Sequence, residues 1–216
     1  MRLLFFGEGS SDVGWDEHAG VIQILTRKVL ATRLGVAPEL NARSERLPHL
    51  RKRRGYAAKA EAAINSAHRL GFDGVSIVVD RDGPANRDRL KLLRKGRDKA
   101  AAEVPIPAAV GVAIETVEAW VLADEPAIGR VLGLPTSPAT GPDPETLDGS
   151  PESDRHPKKR LAALLAQDTI GQKRNQERLE AIASETDVGV VERRCEKGFG
   201  RYADEVRVRL APIFTV

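Results

Sequence analysis

The alternation of apolar and polar stretches sets out the elements before any single residue is considered. Residues 2–7 form a short apolar run that stops at Gly7-Glu8-Gly9-Ser10-Ser11, as a buried strand stops in a turn. Residues 14–34 place Val21, Ile24, Leu25, Lys28, Val29 and Thr32 at helical spacing, which predicts a helix with Asp12 close to its start. The pattern weakens over residues 36–47, where an irregular strand is expected, and the Ala-rich stretch 56–70 then predicts a helix closed by Gly71. Gly74-Val-Ser-Ile-Val-Val79 is the clearest segment: a continuous, mostly β-branched run expected of a strand covered on both faces in a parallel sheet. It ends in Asp80-Arg81-Asp82-Gly83-Pro84. Residues 86–103 read as a basic helix, 108–114 as a third strand ending at Glu115, and 116–123 as a helix carrying Glu118 and Trp120. Alternation of this kind predicts an α/β fold with an open, mostly parallel sheet flanked by helices.

Residues 133–157 hold six of the thirteen prolines together with three glycines, and are expected to be a loop long enough to act as a lid or binding loop. Beyond it, residues 158–167, 172–184, 188–195 and 202–210 predict short helices. The expected organisation is a core at 1–132, the Pro/Gly-rich loop at 133–157 and a small helical C-terminal extension at 158–216 packing on that core.

Composition narrows the function. Aromatics make up 4% of 216 residues, so rows of base-stacking rings are not to be expected. One cysteine, Cys195, excludes an internal disulfide and a thiolate-only metal site, and the four histidines have no metal-ligand spacing. The net charge of +3 is unevenly spread: residues 1–108 hold 20 basic and 13 acidic residues, and residues 109–216 hold 14 and 18. A polyanionic partner for the basic half is expected. No apolar stretch approaches a membrane span, and Glu8 interrupts the opening run too early for a secretory signal, so no membrane partner and a cytoplasmic location are expected.

In an open α/β sheet the working site lies at the carboxyl ends of the strands. Three strands here end in acids: Glu8, then Asp80 and Asp82, then Glu115 with Glu118. Five carboxylates at one edge repel one another unless a cation sits among them, and oxygen donors of this kind suit Mg²⁺ or Mn²⁺. Bland readings stand beside this one. A lone Asp-x-Asp-Gly is usually a turn, acids at helix starts complement the dipole, and Trp120 belongs more naturally to a core.

The order of these motifs resembles a known family. Gly7-Glu8-Gly9-Ser10-Ser11-Asp12 followed by Val78-Val79-Asp80-Arg81-Asp82-Gly83 resembles the Toprim domain of topoisomerases, primases and OLD-family nucleases. The stretch Ile114-Glu-Thr-Val-Glu-Ala-Trp-Val-Leu-Ala-Asp124 is similar to the Glu-x-Trp-x-Leu-Ala-Asp segment of the small stand-alone Toprim-like DUF4276 family, as are His156-Pro-Lys-Lys159 and Arg194-Cys-Glu-Lys-Gly-Phe199. The resemblance implies a Toprim-like fold with Mg²⁺ (or Mn²⁺) held by Glu8, Asp12, Asp80, Asp82 and Glu118, and with Glu8, Asp80 and Asp82 catalytic. Neither Tyr56 nor Tyr202 lies in a topoisomerase-like motif and there is no zinc ribbon, which leaves nuclease chemistry on DNA or RNA. It further implies an ABC- or OLD-type ATPase as a separate partner in a defence system, since no phosphate-loop motif is present, and a homodimer is a second possible assembly. Arg51, Lys52, Arg53 and Arg54, with Arg81 and Arg87, are the candidates for phosphate contact. Lys158, across the Pro-rich loop, is a candidate for stabilising developing charge. Two rival readings stand: a non-catalytic module that docks nucleic acid or an ATPase, and a phosphoesterase or nucleotidyl transferase acting on a small molecule.

Overall fold

A computed structural model describes residues 1–15, 18–46, 54–83, 86–135, 142–147, 150, 153–167 and 175–215. The first strand, β1 (Arg2–Gly7), leads into a single helical turn, α1 (Ser10–Val13), and a two-stranded ribbon of β2 (Gly14–Trp15) and β3 (His18–Ala19). Helix α2 (Val21–Leu34) therefore begins seven residues later than the periodicity predicts. Gly14 takes φ +86°, closed to most side chains, and a Cβ on Gly20 would collide with the backbone of Val13 and Gly14. The chain doubles back there before it can coil.

Next come β4 (Asn41–Arg46), α3 (Tyr56–Arg69), β5 (Gly74–Asp80), α4 (Arg89–Ala101) and β6 (Ala108–Ala113). The four long strands form one parallel sheet in the order β4-β1-β5-β6. The remainder is helical: α5 (Glu118–Leu122), α6 (Glu125–Leu132), α7 (Pro157–Leu165), α8 (Asn175–Glu185) and α9 (Val188–Arg194), then a segment that runs from Glu196 to Phe214 through α10 (Arg201–Glu205). In the Pro-rich stretch, Pro144–Thr146 form one 3₁₀ turn.

Strand alternation divides the interior into two cores. Leu3 and Phe5 of β1, Val78 of β5 and Ala109 and Ala113 of β6 face α2 and the C-terminal helices. Leu4, Phe6, Val75, Ile77, Val79, Val110 and Val112 face α3 and α4. The C-terminal segment belongs to the first core. Trp120, Phe199 and Tyr202 are fully buried there with ring centroids 5.2–6.3 Å apart, and the Tyr202 hydroxyl lies 2.6 Å from Ser76 Oγ. Those three rings bury a large apolar area in a protein short of aromatics.

Candidate functional site

Strand order reverses between β1 and β5, because the chain leaves β1 toward β4 on one side and crosses to β5 on the other. In sheets of this kind the crevice opens at that switch point, outside the strand carboxyl ends. Glu8 and Asp80 are the residues found there.

Parity then decides which acids meet. Asp80 follows Ser76 and Val78 onto the face of the first core, where burial and the carboxylates of Asp12 and Glu118 surround it. Its Oδ1 accepts the Val117 N–H at 3.0 Å, and its Oδ2 lies 3.3 Å from Lys158 Nζ. Burial, reinforced by Asp12 and Glu118 and only partly offset by Lys158, pushes the Asp80 carboxyl up to about 8. Asp12 is raised too, by burial first and then by Glu118, even though its Oδ2 accepts the Gly9 N–H at 2.7 Å. For Lys158, burial works against the charged form, but Glu118 and Asp80 outweigh it and hold the ammonium above its ordinary range. His156 places this lysine by accepting the Lys158 N–H at the start of α7.

Glu8 continues the parity of Leu4 and Phe6 and turns to the opposite face. Its Oε1 accepts the Tyr56 hydroxyl at 2.9 Å, and its Oε2 accepts the Asp80 N–H at 3.0 Å. Arg89 completes this group: its Nη1 is 3.0 Å from Asp82 Oδ2 and 3.5 Å from Glu8 Oε2, it also donates to the Asp80 carbonyl, and its guanidinium lies 4.8 Å from the Tyr56 ring centre. Burial and Glu8 raise the Tyr56 phenol. Asp82 belongs with Arg89 because its φ of +48° breaks the alternation that would have set it beside Asp80. The acids therefore form two groups on either side of the Asp80 backbone, each with one cation: Asp12, Asp80 and Glu118 with Lys158, and Glu8 and Asp82 with Arg89. Tyr56 and Arg89 carry no signal in the sequence. Tyr56 opens an Ala-rich helix, and Arg89 is one of eight basic residues between Arg81 and Lys99.

Glu115 holds the turn after β5. It is 3% exposed, has φ +61°, accepts the Gly83 N–H at 3.0 Å and pairs with Arg81. Of the expected phosphate contacts, Arg81 is thus already engaged, Arg54 and Arg87 are exposed, and Arg51, Lys52 and Arg53 lie outside the described residues. Among the described residues, no three His, Cys, Asp or Glu side chains are grouped closely enough to share an ion. No helix among them is long and apolar enough to cross a membrane.

A family model, described as a domain of unknown function (DUF4276), matches residues 21–207. The chain belongs to the DUF4276 family. No curated protein and no solved structure matches it. The DUF4276 span takes in Asp80, Asp82, Glu118 and Lys158, while Glu8 and Asp12 precede it. Within that span, much of what the motifs contribute is architecture. Trp120 packs edge-on to Phe199, Cys195 is buried with its thiol raised by that burial, and Asp124 accepts the Ala127 N–H at 3.2 Å and the Asp187 N–H at 2.8 Å. Arg194 donates to the carbonyls of Ala123 at 2.7 Å and Pro142 at 3.0 Å, tying the Pro-rich stretch to α5.

Proposed function

We propose that this protein is a divalent-cation-dependent nuclease of Toprim type, related to the OLD nucleases. The observation that carries the proposal is the gathering of Asp12, Asp80 and Glu118 at the switch point, with Lys158 Nζ 3.3 Å from Asp80 Oδ2. The four-stranded parallel sheet flanked by helices is compatible with a Toprim-like arrangement. Carboxylates gathered at one strand edge are oxygen donors of the kind Mg²⁺ or Mn²⁺ takes, and burial raises two of them, Asp12 and Asp80, which an ion would restore to the charged form. Asp80 and Asp12 would hold the ion, with Glu118 beside them. When bound, such an ion polarises a phosphoryl oxygen and lowers the pKa of a coordinated water. The protein's own part is distinct. With an ion bound, Asp80 would be a ligand in its carboxylate form, its proton passing to solvent, and Lys158 would be free to lie beside the phosphate charge. Glu8 and Asp82, with Arg89, keep the Asp80 backbone in place from the other face, and exposed Arg87 lies in reach of a phosphate backbone. On this reading the substrate is DNA or RNA, the cleavage is hydrolytic, and an ABC- or OLD-type ATPase is a separate partner.

One observation favours a second reading, a non-catalytic module that docks nucleic acid or an ATPase: the Lys158 ammonium lies 3.3 Å from Asp80 Oδ2, where a bound cation would compete with it. Incubation with supercoiled DNA, single-stranded DNA and tRNA, in Mg²⁺, Mn²⁺ or EDTA, separates the two. Cutting that needs the metal and falls at least a hundredfold in Asp80→Asn is the expected result. Equal trace cutting by wild type and Asp80→Asn would overturn the nuclease reading. Asp80→Asn suits the test because the amide oxygen can still accept the Val117 N–H.

A further inference from the structure

Next to the acidic group, a cleft of about 290 Å³ opens between α7 and α8. That is just below the roughly 300–1,000 Å³ usual for ligand sites, so it suits one small ring system rather than an extended ligand. Leu165 and Leu179 form its apolar wall, and Glu118, Lys158, Asn175 and Arg178 its polar rim. Glu118 and Lys158 therefore belong both to the cleft and to the group around Asp80. Among the described residues, Glu118 Oε2 has no hydrogen-bond partner; it is closed off from solvent, so it meets a donor in the cleft only when the side chain turns outward.

We propose that this cleft is a nucleobase subsite, which takes the base attached to the phosphate held at Asp80. The inference rests on the phosphodiester reading of the site and adds where the base goes. An apolar wall with a few convergent polar groups is how an unstacked base is gripped: its faces lie against aliphatic side chains while its edge is read by hydrogen bonds. The Glu118 carboxylate, once turned toward the cleft, accepts from an exocyclic amino group of adenine, cytosine or guanine, whereas uracil and thymine offer only a ring N–H. The cleft thus supplies base recognition that does not depend on stacked aromatic rings.

The test is calorimetric titration of the full chain with AMP, GMP, CMP and UMP, and with ribose 5-phosphate as the probe lacking a base. It is repeated on Ala162→Phe, an exposed position on the cleft wall where the new ring fills the space. Amino-bearing nucleotides are expected to bind at least tenfold more tightly than ribose 5-phosphate, and Ala162→Phe is expected to remove that difference. Equal binding of nucleotides and ribose 5-phosphate overturns the subsite, as does base-dependent binding that Ala162→Phe leaves unchanged. The Mn²⁺-induced shift in melting temperature, measured on both proteins, reports separately on the acidic site and on folding. Loss of the metal shift with base-dependent binding intact sinks the nuclease reading alone, and the reverse pattern sinks the subsite alone.

Discussion

Asp80 titrates where few carboxyls do, and stability follows from it. With a folded value of about 8 against an ordinary 3.8, the native state keeps a proton that the unfolded chain gives up over most of that range. Its contribution is fully present below about 3.8 and is lost as pH rises through about 8, with a slope of at most ~1.4 kcal/mol per pH unit for one proton. Melts in EDTA are expected to show the metal-free protein losing stability from pH 5 to pH 9, and Asp80→Asn to flatten that decline. Added Mn²⁺ is expected to stabilise more at pH 8 than at pH 6, since the ion needs the carboxylate. A melting profile for wild type in EDTA no steeper than that of Asp80→Asn would remove the buried carboxyl from the account. At this scale the sequence showed only part of the site. Glu8, Asp80 and Lys158 could be named from strand ends and motifs, but their separation onto two faces depends on parity and on the positive φ of Asp82, which the Asp-x-Asp spacing does not reveal.

Among the elements, the Pro-rich stretch is held by a side chain that no motif announced. Glu145 accepts the N–H groups of Gly198 at 2.7 Å and Lys197 at 3.0 Å, and its burial raises it to about 7. A Cβ on Gly198 would collide with Glu145 Oε1, so a larger residue there must push that carboxyl out of its contacts. Glu145→Ala leaves the buried Gly198 N–H without its acceptor, while the exposed Lys197 N–H can turn to water, and is expected to cost about 1–2 kcal/mol. Hydrogen exchange is expected to accelerate at Lys197 and Gly198, and unchanged protection there would show that the contact holds nothing. The elements most legible from sequence were β1, β5 and β6, whose continuous apolar runs are covered on both faces. β4 was faint for the opposite reason. Asn-Ala-Arg-Ser-Glu-Arg lies at the sheet edge with Asn41, Ala42 and Arg43 exposed, so no alternation marks it.

For the molecule as a whole, the two margins of the sheet are treated differently. Around β6 the C-terminal segment and α4 close over the strand, joined by Arg97 and Glu205 at 2.6 Å with both side chains about nine-tenths buried. Glu205 also pairs with Arg94 at 2.9 Å, so replacing both arginines by Ala strands its carboxylate and is expected to cost about 3–5 kcal/mol in chemical denaturation. A loss below about 1 kcal/mol would mean the closure rests on packing alone. At the other margin, β4 pairs among the described residues with β1 on one side only. An outer strand with free backbone donors and acceptors is a template on which another chain can add. Arg43 and Glu45 stand on that strand, so any added strand must desolvate or oppose them. Arg43→Val with Glu45→Val is expected to convert the margin into a nucleus for fibrillar growth, visible as concentration-dependent light scattering while the wild type stays clear. The polar residues that hid β4 from the hydrophobic pattern would then be what keeps the sheet finite.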